Sequence, residues 1–271
     1  MDSTKLKSLL QIAIEASLKG GKEIMEVYSN TIEVEYKNDS SPLTKADKNA
    51  HNAIVELLDP PEVPVLSEEG RQLEFEERKS WDYLWIVDPL DGTKEFIKRN
   101  GEFTVNIALV HQGEVIMGVI YVPVKETLYF GLEGMGSFRI NDVNEPLSKD
   151  LDEIMQLAEK LPISVKRPYT MVGSRSHMSE ETKTCFEEIK KKYPDAEVIS
   201  KGSSLKICMV AEGSADIYPR IAPTMEWDTA AGHGIAKYAG FEIYKTDVQE
   251  PLDYNKEDLL NPWFIVKPKV S

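Results

Sequence analysis

Apolar side chains recur with helical spacing in the N-terminal part of the chain. Residues 4–28 place them on one face, which predicts an amphipathic helix. A second helix is predicted from Thr44 to Leu58, and Asp59-Pro60-Pro61 would end it because proline cannot continue a helix. Pro64 to Ser67 is typical of a short strand. The acidic segment from Glu68 to Lys79 shows no clean period, so a loop or short helix is expected there.

The middle of the chain has the pattern of a sheet. Tyr83 to Val87 is a nearly continuous apolar run, as expected for a buried strand. Thr104 to Val110 and Val115 to Val122 flank a short polar turn, which predicts a hairpin. Two further strands, over Glu126–Gly131 and Gly136–Ile140, are predicted to extend this hairpin into a meander.

The C-terminal part alternates strands and helices. Strands are predicted at Met171–Ser174 and Ala215–Pro219, and helices at Ser179–Lys192, Ser203–Ala211 and Trp227–Tyr238. Gly240 would close the last helix. We therefore expect an α+β N-terminal half, residues 1–140, and an α/β C-terminal half, residues 141–271, without a low-complexity linker between them.

Composition is that of a globular protein. The chain has 271 residues, of which 41% are hydrophobic and 29% charged. No apolar run approaches the roughly 20 residues that span a bilayer. The N-terminus shows no secretory signal. A cytoplasmic location is expected, with a peripheral membrane contact left open.

Charge and cysteine usage narrow the chemistry. The two cysteines, Cys185 and Cys208, form no disulfide framework and are expected to be reduced. The histidines show no zinc-type spacing. A net charge of −14 is the wrong sign for a nucleic-acid groove. The same charge would repel a phosphate ester, so a phosphate substrate would need a cationic group beside it, and a bound divalent metal would serve.

The strongest chemical motif follows the buried strand and runs from Asp88 through Pro89-Leu90 to Asp91-Gly92-Thr93. The strand ends in an acid, a proline stiffens its exit, and a second acid follows three residues after the first. This pattern delivers two carboxylates to one point at a strand end. An ordinary turn uses the same residue types, and spacing alone leaves both interpretations open.

Further acids lie near the predicted ends of elements. Glu68-Glu69 follows the short strand, Asp228 follows Trp227 at a helix start, and Asp47 comes three residues after Thr44. Each has an ordinary alternative. Glu68 and Glu69 would suit a solvated loop, Asp228 a helix cap, and Asp47 a capping box.

Taken together, three motifs resemble the inositol monophosphatase superfamily. Its pattern joins an acid pair after Gly or Ser, then Asp-Pro-(Leu/Ile)-Asp-Gly-Thr, then Trp-Asp-x-Ala-Ala-Gly. This sequence has Ser67-Glu68-Glu69, Asp88 to Thr93 and Trp227 to Gly232 in that order. The resemblance covers nearly the whole chain and is weakest at 70–80 and 141–166. It implies a layered α/β/α/β sandwich of the sugar phosphatase type, an α/β (α+β) fold with the site between the halves.

Other segments are similar to one branch, the CysQ-type 3′(2′),5′-bisphosphate nucleotidases. They are Ser40–Asp47, Lys94–Leu109, Gly202–Lys206, Ala211–Arg220, Leu252–Tyr254 and Leu260–Pro262. Glu69-Gly70-Arg71 departs from the branch, which could alter access to the site without removing a motif acid. The branch implies hydrolysis of the 3′-phosphate of 3′-phosphoadenosine 5′-phosphate to AMP and phosphate, with the sulfated analogue as a further substrate. It also implies a place in sulfur assimilation and inhibition by Li⁺.

The resemblance implies a Mg²⁺ site of two or three ions. Its metal ligands would be Glu68, Asp88, the carbonyl oxygen of Leu90, Asp91 and Asp228. All are oxygen donors, which suit a hard cation. A water activated by the metal would be the nucleophile, with Asp47, Thr93 and Glu68 as the catalytic residues.

Substrate contacts are implied at Gly92, Thr93, His177, Ser203, Lys206, Arg220 and Asp228. Gly92 and Thr93 would offer backbone N–H groups to the phosphate, and the cations would face a second phosphate. The main alternative is an inositol monophosphatase or other sugar phosphatase. Lys94-Glu95-Phe96 speaks against it, since inositol enzymes more often have Asn before the Phe. A non-catalytic phosphate or metal sensor is a remote alternative, and the oligomeric state is open.

Overall fold

The computed structural model describes residues 1–37, 42–58, 63–143, 147–148, 150–164, 166–174 and 179–269. Within them the helices are α1 (Ser3–Tyr28), α2 (Lys45–Leu58), α3 (Phe75–Arg78), α4 (Thr93–Ile97), α5 (Leu151–Leu157), α6 (Glu180–Lys192), α7 (Leu205–Glu212) and α8 (Glu226–Tyr238). None of these helices combines the length and the apolar character needed to cross a bilayer.

Strands make up the rest of the regular structure. They are β1 (Val34–Tyr36), β2 (Pro42–Thr44), β3 (Val65–Ser67), β4 (Tyr83–Asp91), β5 (Thr104–His111), β6 (Glu114–Val122), β7 (Thr127–Leu132), β8 (Gly136–Ile140), β9 (Glu159–Lys160), β10 (Thr170–Ser174), β11 (Glu197–Lys201), β12 (Tyr218–Arg220), β13 (Phe241–Lys245) and β14 (Phe264–Pro268).

One seven-stranded sheet dominates the fold, in the order β3-β4-β5-β6-β7-β8-β9. Its first pair is parallel and the others are antiparallel. Ser67 lies opposite Val87 in the parallel pair. The residues that follow them, Glu68 and Asp88, therefore lie beside each other at the same edge of the sheet.

Both faces of this sheet are covered by helices, and the alternation along β4 shows how. Trp85 and Val87 point into the core that α1 and α2 complete. Leu84 and Ile86 point the other way, into the core formed with α7 and α8. Because successive side chains of a strand face opposite sides, a continuous apolar run serves two cores. This confirms the interpretation of residues 83–87 as a buried strand.

Two smaller sheets lie beyond α7 and α8. One pairs β10 with β11 in parallel, and the other has the order β12-β14-β13. Ile243, Phe264 and Val266 of the second sheet belong to the same core as α7 and α8. The order of layers is helices, large sheet, helices, small sheets, which confirms the predicted α/β/α/β architecture.

Glycines let α8 cross the large sheet at close range. A Cβ on Gly118 of β6 would lie 2.1 Å from the carbonyl oxygen of Ala231, and one on Gly234 would lie 2.7 Å from the Gly118 nitrogen. Real Cβ atoms do not approach this closely, so larger residues would push the helix away. The close crossing sets how near the N-terminal end of α8 comes to the edge where β4 ends.

Most predicted elements are present, with shifted ends. The strand predicted at Ala215–Pro219 begins only at Tyr218, because the N–H groups of Ala215 and Asp216 donate to the carbonyl oxygens of Met209 in α7 and Thr170 in β10. β4 continues through Asp91, beyond the predicted end at Val87. α5, β1, β2, β9, β11, β13 and β14 were not predicted. The division of the chain at residue 140 stays a prediction; β9, from the second half, completes the large sheet.

Candidate active site

The end of β4 carries the first two acids of the site. Its pairing with β5 is regular up to Asp88 opposite Asn106 and then slips before Asp91 meets Thr104. The slip turns the strand where Pro89 cannot donate to a ladder. Gly92 then adopts a left-handed φ of 93° and leads into α4. Two acids three residues apart are thus delivered to one edge of the sheet.

Asp228 joins these acids from the other half of the chain. Carboxylate oxygens of Asp88, Asp91 and Asp228 all lie within 4.8 Å of one another. Asp228 is in the first turn of α8, where one of its oxygens accepts the Met225 N–H at 2.8 Å. Its second oxygen is left for a ligand. The capping alternative for Asp228 is therefore correct as well, and it does not exclude a metal.

The electrostatics of this group call for a cation. Burial, followed by the nearby charges of Glu68, Asp91 and Asp228, raises the pKa of Asp88 well above its ordinary value. Burial and the charge of Asp91 raise the pKa of Asp228 to about 8. Like charges at this distance cannot all ionise without compensation. A hard divalent cation with oxygen ligands fits the donors that are present.

Asp91 is held by the most hydrogen bonds in the group. Its Oδ2 accepts from Ser204 N at 2.7 Å, Ser204 Oγ at 2.7 Å, Ser203 Oγ at 2.8 Å and Asn106 Nδ2 at 3.2 Å. Sequence reasoning missed Ser204 and Asn106 as parts of the site. Four donors on one oxygen fix the carboxylate and leave Oδ1 for a ligand.

Glu68 lies beside the group but outside it. Its backbone N–H donates to Val87 at 3.1 Å, which anchors it at the edge of the sheet. Its side chain accepts from Lys37 Nζ at 2.8 Å, and Lys37 also contacts Glu69 at 2.5 Å. Burial works against the Lys37 charge, but the two carboxylates outweigh it and raise the pKa of the ammonium. Lys37, which follows β1, was not predicted as a site residue.

Asp47 and Thr93 form a hydrogen-bonded pair. Asp47 Oδ1 accepts from Thr93 Oγ1 at 3.1 Å, while Oδ2 accepts from the Thr44 N–H at 2.7 Å and the Thr44 hydroxyl at 2.6 Å. The predicted capping contact of Asp47 with Thr44 is therefore present together with the predicted Thr93 contact. Burial raises the pKa of Asp47, although the Thr44 hydrogen bonds oppose the rise.

A cleft of about 380 Å³ runs past these residues. Its lining includes the site residues predicted from sequence, namely Glu68, Asp91, Gly92, Thr93, Ser203, Lys206, Arg220 and Asp228. Tyr218 and Ser174 also line it. Asp47, Asp88 and Leu90 lie behind this surface, where they are buried. The predicted contact at His177 falls outside the described residues.

Two cations, Lys206 and Arg220, line the same cleft as the acids. Lys206, in the first turn of α7, is nearly buried, donates to the Ser203 carbonyl at 2.5 Å and lies 5.5 Å from the ring centre of Tyr218. Burial lowers the pKa of Lys206 to about 8. Arg220 Nη2 donates to the Pro223 carbonyl at 2.9 Å, and its buried Nε has no partner among the described residues.

Local backbone geometry presents the loop before α7. Ser203 has a left-handed φ of 52°, which few residue types adopt without strain. The preceding Gly202 donates its N–H to Glu102 at 2.9 Å, and Ser203 Oγ lies 2.6 Å from Thr104 Oγ1. Ser203 was predicted to bind substrate. In this structure its hydroxyl donates to Asp91, so it also belongs to the acidic group.

The residues that sequence reasoning missed share one property. Lys37, Asn106 and Ser204 each contact a predicted acid from an element distant in sequence. Ser204 and Asn106 lie within segments that resemble the nucleotidase branch, but their side chains carry no motif signal. Only the pairing of strands and the approach of α7 bring them to Asp91.

Comparisons with known proteins agree with this geometry. The family model described as inositol monophosphatase family matches residues 5–265. The 3′(2′),5′-bisphosphate nucleotidase CysQ of Salmonella typhimurium is 43% identical over 95% of this chain and 99% of that protein. The crystal structure of CysQ from Bacteroides thetaiotaomicron has 53% identity and a TM-score of 0.91, over 97% of this chain and 98% of that one. An inositol monophosphatase from Anabaena, at 24% identity and a TM-score of 0.69 over 97% and 91% of the two chains, shares the fold.

Proposed function

Because the chain belongs to the inositol monophosphatase family, we propose that it hydrolyses the 3′-phosphate of 3′-phosphoadenosine 5′-phosphate to AMP and phosphate. One observation carries this proposal: a single cleft is lined both by carboxylates, among them Asp91 and Asp228 of the acidic group, and by two partly or wholly buried cations, Lys206 and Arg220. Relatives at 43% identity are named 3′(2′),5′-bisphosphate nucleotidases.

The carboxylates are proposed to hold Mg²⁺. Glu68, Asp88, Asp91, Asp228 and the Leu90 carbonyl would supply oxygen ligands for two or three ions. When bound, the ions neutralise the phosphate charge and lower the pKa of water. For Glu68 to serve as a ligand, its contact with Lys37 must loosen or be shared. The raised pKa values of Asp88 and Asp228 support a cation here, since it would keep both ionised at neutral pH.

Asp47 and Thr93 are proposed to move the proton of the attacking water. Asp47 receives the Thr93 hydroxyl proton as a hydrogen bond, which leaves the Thr93 oxygen free to accept from water. The raised pKa of Asp47 suits a proton acceptor. One water is consumed: its oxygen bonds to phosphorus, the bond from phosphorus to ribose O3′ breaks, and the ribose oxygen gains a proton.

Phosphate orientation is assigned to the turn that follows Asp91. Gly92 caps α4 and Thr93 is its first residue, and both line the cleft, where their N–H groups would be offered to the phosphate. A Cβ on Gly92 would lie 3.2 Å from the Glu102 carbonyl oxygen and 3.3 Å from Ser203 Cβ, and its φ disfavours other residues. The backbone can therefore reach the phosphate closely at this position.

Substrate choice is assigned to the two cations that line the cleft. Lys206 and Arg220 would bind the 5′-phosphate by charge-assisted hydrogen bonds, and Ser203 would contact the ribose. An inositol monophosphate has no second phosphate and would leave the buried Lys206 ammonium with the Ser203 carbonyl but without a phosphate to bind. This favours the nucleotidase over an inositol or sugar phosphatase. The complete Asp47–Thr93 contact favours an enzyme over a sensor.

The test is phosphate release from 3′-phosphoadenosine 5′-phosphate and, in parallel, from inositol 1-phosphate, each with Mg²⁺ and with EDTA. We expect Mg²⁺-dependent turnover of the nucleotide and little turnover of the inositol phosphate. Faster turnover of inositol phosphate would overturn the substrate assignment and keep the metal site. No turnover of either substrate, with Mg²⁺ bound, would contradict the enzyme assignment and favour a non-catalytic sensor.

A further inference from the structure

Glu226 and Arg78 are two buried charged residues with no part in the chemistry described above. Glu226 is 0% exposed and Arg78 is 2% exposed. Charged side chains are rarely buried so fully unless their partners are fixed. Glu226 begins α8, two residues before Asp228. Arg78 ends α3, in the segment that follows Glu68.

Glu226 is bound by the segment at 255–256. Its carboxylate accepts the backbone N–H of Asn255 at 2.6 Å and of Lys256 at 3.0 Å, and it pairs with Lys256 Nζ at 2.5 Å. Its own N–H donates to the Leu259 carbonyl at 3.0 Å. The first residue of α8 is therefore fixed to this segment through both backbone and side chain.

Arg78 is bound by the same segment from the other side. Its Nη1 donates to Asn255 Oδ1 at 2.9 Å and to the Lys256 carbonyl at 2.6 Å, and its Nη2 donates to the Glu257 carbonyl at 3.0 Å. Asn255 returns a bond from Nδ2 to the Arg78 carbonyl at 2.9 Å. N–H donors of the segment thus face Glu226, while its carbonyls face Arg78.

We propose that Glu226 and Arg78 are positioning residues that set the distance between Glu68 and Asp228. The proposal rests on the metal site of the proposed function. Segment 255–257 joins Arg78, in the chain after Glu68, to Glu226 in the helix that carries Asp228. We call this segment, with Arg78 and Glu226, the bridge. None of its side chains belongs to the acidic group of Asp88, Asp91 and Asp228. Glu68 and Asp228, which come from the two halves of the chain, are thus kept at a fixed distance by buried hydrogen bonds.

The two charged side chains of the bridge face backbone groups of opposite polarity. The carboxylate of Glu226 compensates backbone N–H dipoles and the Lys256 ammonium, and the guanidinium of Arg78 compensates carbonyl dipoles. Asn255 adopts a left-handed φ of 62°, a conformation that glycine and asparagine adopt more readily than most residues. The segment is therefore held in one conformation, and removing either charge would release α8 and α3 from each other.

The test is Mg²⁺ binding measured by calorimetry, with no substrate present, on Glu226→Gln and Asn255→Gly. Glu226→Gln removes the charge and keeps the shape. Asn255→Gly suits the left-handed backbone and removes only the side-chain contacts with Arg78. We expect Mg²⁺ affinity to fall about 10-fold in each, the effect typical of residues that orient metal ligands. The Mg²⁺ concentration for half-maximal turnover should rise in parallel, with KM at saturating Mg²⁺ unchanged.

Glu212→Gln is the matched control. Glu212 is also a carboxylate at a helix end bound by an arginine, Arg139 at 2.8 Å, but it contacts no part of the bridge. It should lower stability and leave Mg²⁺ affinity unchanged. If Glu226→Gln and Asn255→Gly both bind Mg²⁺ like the wild type, the positioning role is wrong. If the wild type itself binds no Mg²⁺, the proposed metal site fails instead. Should Glu226→Gln not fold, Asn255→Gly alone decides.

Discussion

The acidic and the cationic side chains of the cleft respond to burial with pKa shifts of opposite sign. Burial raises the pKa of Asp228 to about 8 and lowers the pKa of Lys206 to about 8. Loss of water disfavours the charged form of either group. Each set of side chains is therefore suited to a ligand of opposite charge: the acids to a metal cation, and the cations to a phosphate.

The acids and the cations differ in how many hydrogen bonds hold their side chains. Asp91 Oδ2 accepts four hydrogen bonds from three residues, and Asp47 accepts three from two. Lys206 and Arg220 each donate to one backbone carbonyl, and Arg220 also has a hydrogen bond with the Tyr218 side chain. The acids are preorganised before any ligand arrives, whereas the cations can exchange a carbonyl for a phosphate. Changes to the acids should therefore affect every substrate, and changes to the cations only those with a second phosphate.

The largest effect is expected for Asp88→Asn. Turnover of any phosphate ester should fall by about 10³-fold or more, because a central charge of the proposed metal site is lost. In EDTA the free energy of unfolding should rise, since the substitution removes a buried charge that Glu68, Asp91 and Asp228 repel. Steady-state kinetics and urea unfolding measure the two quantities. A variant that is inactive and also less stable in EDTA would contradict the repulsion within the acidic group.

Asp47→Asn should reduce kcat by about 10²–10⁴-fold, the usual contribution of a positioned proton acceptor. Mg²⁺ affinity should change little, because Asp47 lies behind the proposed ligands and contacts Thr44 and Thr93. Thr93→Ser keeps the hydroxyl and serves as the matched control, with a much smaller loss. An equal loss in Thr93→Ser, or a strong loss of Mg²⁺ affinity in Asp47→Asn, would contradict the proton-transfer role.

Lys206→Met separates the role of the cations from that of the acids directly. We expect kcat/KM for 3′-phosphoadenosine 5′-phosphate to fall about 10–100-fold, as for the loss of one charged hydrogen bond. For 3′-AMP, which lacks the 5′-phosphate, it should change less than about twofold. Lys206→Arg keeps the charge and should lose less than Lys206→Met. Equal losses on both substrates would place Lys206 at the reacting phosphate instead.

The smallest expected effect is a pH dependence from Lys206. Below its pKa of about 8 the side chain is charged and can bind the second phosphate, and above that pH the free enzyme loses the charge. The ratio of kcat/KM for the bisphosphate to that for 3′-AMP should therefore fall as pH rises through about 8. In Lys206→Arg the ratio should stay level, because arginine remains charged. A ratio that falls equally in both proteins would assign the titration to another group.

Much of the site could be predicted because its acids lie in local motifs. The Asp88-to-Thr93 segment contains the strand end, the turn and the start of α4, so a short stretch of sequence carries its own geometry. Thr44 and Asp47 likewise make their contact within one helical turn. The continuous apolar run from Tyr83 to Val87 also predicted that β4 is buried. Strands β13 and β14 were not predicted, since their partial burial depends on pairing with each other.

The sequence by itself determined the types of element, the all-oxygen donor set and the order of its members, because these depend on neighbouring residues and side-chain chemistry. Only the tertiary structure decided which atoms meet. Lys37 binds Glu68, and four donors contact one oxygen of Asp91. Buried Glu226 and Arg78 both form hydrogen bonds with segment 255–257. Such contacts join residues far apart in the chain, and their strength comes from burial, which no local pattern encodes.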